Sequence, residues 1–147
     1  MPSTPSEYFD LLDDRARLLF ELMSTWDAAG VDVLVLPAFG LPAPAHGTTT
    51  DLFDAGSYLT MANLFGLPAG VVAVTSVGAT EETDRPPSRD ASDRLAASVE
   101  RGSAGLPVAV QVIGRPWRED LVLATMGRIE AGTRSSGSAP GLPVDPR

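Results

Sequence analysis

The chain has 147 residues, 44% apolar and 20% charged, a size and balance that suit one folded domain with a buried core. A net charge of −8 without any Arg run leaves no basic face for phosphates, which excludes nucleic-acid binding. With 0 Cys, one histidine (His46) and 11 basic residues that are all Arg, disulfides, thiol chemistry, a His-cluster metal site and any lysine base are excluded as well.

The chain opens on Thr4-Pro5-Ser6-Glu7, a helix start. Thr4 can cap, Pro5 fits the first helical position, and Glu7 can return a capping-box bond. Tyr8, Leu12, Leu19, Leu22, Met23 and Trp26 then recur at helical spacing, with Gly30 as the natural stop. Asp10, Asp13 and Asp14 read as the solvated side of that helix rather than a metal patch. Val31 to Leu36, closed by Pro37, is an apolar, β-branched run of the kind covered on both faces of a sheet.

Leu41 to Thr50 reads as loop, and Asp54 to Phe65 as a weaker helix ended by Gly66 and Pro68. Gly70 to Val77 is a second strand, and acidic Gly78 to Asp93, with Pro86-Pro87, a mobile loop. Leu95 to Glu100 offers a helical turn or two. Leu106 to Ile113 is a third strand, with Pro107 at its start. A last helix opens at Pro116-Trp117, where Trp117 is expected to anchor it on the sheet. Gly132 to Arg147, rich in Gly, Ser and Pro, reads as a flexible tail.

Helices and strands alternate, which argues for a layered α/β fold with a mixed or parallel sheet. Three apolar strands make a small sheet whose edges want partners. No stretch is long and apolar enough to cross a bilayer, since Val33 to Ala45 is broken by Gly and Pro. The N-terminus lacks a secretory pattern, so a cytoplasmic location is expected.

Three segments carry a resemblance. They are Trp26-Asp-Ala-Ala-Gly-Val-Asp-Val-Leu-Val-Leu-Pro37, Ser57-Tyr58 with Asn63-Leu-Phe-Gly-Leu-Pro-Ala-Gly-Val-Val-Ala-Val-Thr75, and Gly105-Leu-Pro-Val-Ala-Val-Gln-Val-Ile-Gly-Arg-Pro-Trp-Arg-Glu-Asp-Leu121. In order and spacing this resembles the C-terminal part of the amidase signature family, and within it the fatty acid amide hydrolase branch. The resemblance implies a partial three-layer α/β/α fold, with residues 1–131 an incomplete domain and 132–147 a tail. It also implies a serine hydrolase of carboxamides that uses a serine, a second serine on a cis peptide bond and a lysine, with no cofactor and no metal. In the family those residues lie upstream of the shared segment, so no catalytic residue is assigned here and the chain alone is expected to be inactive. The positions matching the family's acyl-channel wall are Phe53, Gly56 and Thr60, expected on one helix face, although their side chains differ from the branch's usual ones.

Other residues take plainer roles. Asn63 is expected to bond the turn before Gly66, and Gln111 to sit in a buried polar network. His46 is expected to face solvent. Arg134-Ser135-Ser136-Gly137-Ser138-Ala139 resembles the family's nucleophile loop but lacks its Gly pair and falls in the expected tail. A small-molecule amide is the expected partner only once an N-terminal half completes the site, and a partner chain could supply that half. The rival expectation is a stand-alone binding or scaffold module, with Met1 preceding a capped helix.

Overall fold

The computed structural model describes residues 4–140. The elements are α1 (Pro5–Ala29), β1 (Val33–Pro37), a 3₁₀ helix (Thr49–Gly56), α2 (Ser57–Phe65), β2 (Ala69–Ser76), α3 (Ala91–Glu100), β3 (Pro107–Gly114) and α4 (Glu119–Ser136). Among the described residues, no helix is long and apolar enough to cross a membrane.

The ends of α1 follow from its sequence. The Glu7 N–H donates to Thr4 Oγ1 and the Thr4 N–H to Glu7 Oε2, each at 3.2 Å, a closed capping box. Gly30 takes φ 64°, and the N–H groups of Gly30 and Val31 return to the carbonyls of Asp27 and Trp26. Leu19, Leu22 and Met23 pack around Trp26, which is 4% exposed. The same stripe runs on past the body of the fold, where Tyr8, Leu11 and Leu12 stay 52%, 54% and 40% exposed.

The strands lie in the order β1-β3-β2, and both pairs are antiparallel. A mixed or parallel sheet was the expectation from alternating helices and strands. β1 and β2 do run the same way, as a helix-linked pair should, but β3 occupies the gap between them in the opposite direction. The register opposes Leu34 to Ile113 and Ala69 to Ile113, so these residues share one face with Leu36, Gln111 and Val71. That face meets α1 and α2 around Trp26, Ala62, Leu67 and Ile113. Ile113 is fully buried, which contributes about 1.5–3 kcal/mol.

The opposite face carries Gly70, Val112 and Gly114 and receives α4. A side chain at Gly70 would collide with Met126, and one at Gly114 would begin 2.7 Å from Val122. The two glycines therefore let α4 approach closely. This gives three layers, as the α/β/α expectation requires. One extra residue, Val74, bulges β2 between Ala73 and Thr75.

Other boundaries differ from the sequence reading. The segment expected as one helix from Asp54 begins earlier, at Thr49, as a 3₁₀ helix, and becomes α-helical only at Ser57. α3 starts at Ala91 because Asp90 caps it, accepting from Ser92 N–H at 2.7 Å and Asp93 N–H at 3.3 Å. α4 runs to Ser136, so the first five residues of the expected tail are helical. Gly137 at φ 73° closes it, and residues 141–147 of that tail lie outside the described residues. Ser135 and Ser136 donate to the Gly132 and Thr133 carbonyls at 2.9 and 3.0 Å, the local bonding of helical serines. Trp117 is no anchor: it sits before α4 at φ 64° and is 88% exposed, while Val122, 3% exposed, holds α4 down.

Candidate functional site

The candidate wall residues sit where the chain leaves β1 and returns through the 3₁₀ helix. Two main-chain bonds fix that excursion. Ala38 N–H donates to Ala109 O at 3.2 Å, and Gly40 N–H to Ala55 O at 2.8 Å. Phe39 is thereby held over Gly56, where an added β-carbon would stand 3.2 Å from the ring. Phe39 also lines an apolar hollow of about 360 Å³ with Leu41, Pro42, Pro107 and Val108.

Phe53 and Gly56 lie one turn apart on the 3₁₀ helix, which repeats every three residues. Thr60 follows one turn along α2. The three thus succeed one another along the segment, but not on a single α-helix. Gly56 is half-buried under Phe39, Phe53 is 75% exposed and Thr60 is exposed. Within this chain they form an open surface rather than an enclosed wall. Phe39 was not singled out from the sequence: it follows the strand-ending Pro37 by two residues, and nothing in the local chain places its ring over Gly56.

Behind the 3₁₀ helix, a second hollow of about 230 Å³ runs between Leu52, Ala55, Arg85 and Ala96. Arg85 is drawn into it by Glu100 at 2.6 Å, and this bond raises the Arg85 guanidinium further above its ordinary range. Thr83 donates to the other Glu100 oxygen at 2.6 Å. The acidic segment 78–93 is therefore tied onto α3 through Glu100, rather than left as a free loop.

Asn63 does not bond the turn as expected. That turn closes through the main chain, with Leu67 N–H on Ala62 O at 3.0 Å and the Arg15 guanidinium on Leu64 O. Gln111 is 3% exposed, but its Oε1 has no partner among the described residues, so the expected polar network is absent there. His46 is exposed.

At the other end of the sheet, Arg115 ties α1 to β3. Its Nε and Nη2 donate to Val31 O at 3.0 and 2.7 Å, Nη1 pairs with Asp27 at 2.5 Å, and the guanidinium lies 5.9 Å from the centre of the Trp26 ring. These contacts join two of the segments that carry the resemblance.

The chain matches the Amidase family over residues 5–123. It is 36% identical over 103 residues to fatty acid amide hydrolase 1 of Caenorhabditis elegans, covering 68% of this chain and 18% of that protein. It is 31% identical over 137 residues to fatty-acid amide hydrolase 1 of Sus scrofa, covering 88% and 23%. A third relative, fatty acid amide hydrolase of Medicago truncatula, is 27% identical over 136 residues, covering 86% and 18%. The chain spans about a fifth of the length of these relatives. The family match, the three-layer packing and the shared segments agree, and the chain belongs to the amidase family.

Proposed function

We propose that this chain is a C-terminal segment of an amidase-signature serine hydrolase, located in the cytoplasm, that cleaves carboxamides of fatty acyl type. The observation that carries this reading is the family match over residues 5–123, joined by fatty acid amide hydrolases among the relatives. On this reading the chain supplies sheet, packing and the stretch of channel wall at Phe53, Gly56 and Thr60.

The serine pair and lysine come from outside it, in an upstream segment or a partner chain. A serine hydroxyl needs a positioned base to attack an amide, and each oxyanion donor adds several kcal/mol. The sequence holds no lysine, which supports placing that machinery elsewhere. The chain alone is therefore catalytically silent. The exposed Tyr8, Leu11 and Leu12 of α1 support completion by more polypeptide over a stand-alone module.

The test is hydrolysis of a fatty acyl amide by the purified chain, with and without a serine-reactive phosphonate. No turnover is expected. Phosphonate-sensitive turnover by the chain alone would overturn its silence. A native complex or longer form that contains the chain and hydrolyses no amide would overturn the amidase reading.

A further inference from the structure

Residues 78–87, between β2 and α3, have no regular structure, and none of them is buried. Among the described residues, no bond from main chain to main chain ties this stretch to the rest of the fold. Its attachments run through side chains and meet at the end of α3. Arg85 Nε donates to Glu100 Oε1 and Thr83 Oγ1 to Glu100 Oε2, each at 2.6 Å. The Gly102 N–H donates to Glu82 Oε2 at 2.7 Å. Both oxygens of Glu100 are thus taken by this one stretch. Its side chain is only 13% exposed, so water competes poorly for them.

The flanks are firmly placed. On one side the Val77 N–H donates to Leu106 O at 2.9 Å, and Val77 O accepts from the Gly105 N–H at 2.8 Å. On the other, Ser88 Oγ donates to Asp93 at 2.8 Å and Asp90 caps α3. Pro86-Pro87 fix φ at two successive positions, so the arm that carries Arg85 is stiff. A stretch anchored at both ends, and latched between them by one carboxylate and one N–H, opens in one piece.

Arg85 is also the one residue of the stretch that lines the hollow of about 230 Å³ behind the 3₁₀ helix. It stands there between Leu52 and Ala55 on one side and Ala96 of α3 on the other. Leu52 and Ala96 are 5% and 7% exposed, so the seam between the two helices is closed to water. The stem of an arginine covers apolar surface of this kind while its guanidinium pairs elsewhere.

We propose that residues 78–87 are a strap latched by Glu100, and that its opening withdraws Arg85 from the seam and loosens the 3₁₀ helix that carries Phe53 and Gly56. Arg85 is then a positioning residue for the candidate wall, acting through Leu52 and Ala55, which border Phe53 and Gly56 in the chain. The consequence for an acyl channel rests on the function proposed above, whereas the latch does not.

Amide hydrogen exchange, resolved by residue with NMR on the whole chain, tests both halves. The Gly102 N–H reports the strap, because its acceptor is Glu82. The Gly40 N–H reports the wall segment, because it donates to Ala55 O. Val112, fully buried in the central strand, is the reference. Arg85→Ala removes the latch and the cover at a site distant in sequence from all three. It is expected to speed Gly102 exchange about tenfold or more, as the loss of a charge-assisted hydrogen bond implies, and to speed Gly40 as well, with Val112 unchanged. Thr83→Val breaks one bond to Glu100 and leaves Arg85 in place, and is expected to speed both by a smaller factor.

A Gly102 amide indifferent to Arg85→Ala would overturn the proposal, since the stretch would not open in one piece. So would a Gly40 amide that stays slow while Gly102 speeds up, because the strap would then not hold the 3₁₀ helix. Equal acceleration at Val112 would overturn it too, Arg85 then serving the stability of the whole fold. A larger form that contains the chain and hydrolyses no amide would sink the functional reading and leave the latch standing.

Discussion

The Phe39 ring lies where a side chain on Gly56 would begin, 3.2 Å from an added β-carbon. Gly56 has φ −91°, which any residue can adopt, so the ring and not the backbone sets the requirement for glycine. Gly56→Ala asks the ring to move by a few tenths of an ångström, and should cost less than about 1 kcal/mol. Gly56→Leu must displace Phe39, and should cost about 1–3 kcal/mol. Urea unfolding of the two variants checks this. A harmless leucine would mean that Phe39 is not held over Gly56.

Arg115 offers a second check on the architecture. It spends two N–H groups on the Val31 carbonyl and a third on Asp27, and its side chain is only 23% exposed. Arg115→Met leaves the Val31 carbonyl without these donors and should cost about 2 kcal/mol. Arg115→Lys should recover little, because an ammonium cannot reproduce the planar fork. Equal stability of the lysine variant and wild type would contradict this account of the α1–β3 junction.

The seating of α4 predicts a contrast between two apolar residues. Trp117 is large but 88% exposed, so Trp117→Ala should change stability by less than about 0.5 kcal/mol. Val122 is small but 3% exposed, and Val122→Ala should cost about 2 kcal/mol. Denaturant midpoints of the two variants decide the matter. The reverse order would place the tryptophan on the sheet after all.

Asp120 gives a prediction in pH. Arg118 holds its two oxygens at 2.9 and 3.0 Å, which lowers the Asp120 carboxyl below its ordinary range, with further help from the Leu121 N–H at the start of α4. Since the folded value lies below the unfolded one, the stabilising contribution is complete above the unfolded carboxylate pKa. It is lost as pH falls through the folded value. Both side chains are exposed, so the readout is the titration itself. The Asp120 carboxyl carbon signal should titrate below the usual carboxylate midpoint, and Arg118→Gln should raise that midpoint. An unchanged midpoint would contradict the pairing.

Features fixed by neighbouring residues were legible in the sequence. The Thr4–Glu7 box and the Gly30 stop need only local chain, and both are present. Strand direction was not legible, because nothing within β1 or β2 announces that β3 will enter between them. The 3₁₀ turn at Thr49 was hidden for a similar reason: it depends on the Gly40–Ala55 bond across the excursion. Gly132, Ser135 and Ser136 are poor helix formers and read as tail. Yet Arg134 pairs with Glu130 at 2.5 Å and the serine hydroxyls bond within the helix. At the candidate site, Phe53, Gly56 and Thr60 came from resemblance alone, whereas the ring over Gly56 required the fold. Gln111 was legible as a buried amide, but its missing partner was not.

The proposed function makes this chain one part of a larger amidase-family protein. The most direct measurement is the native size of the particle that contains it in its source cells, read with intact mass. A particle well above 15.4 kDa, either a longer polypeptide or a stable complex, is expected. A free monomer of 15.4 kDa, with no partner and no larger form, would contradict it.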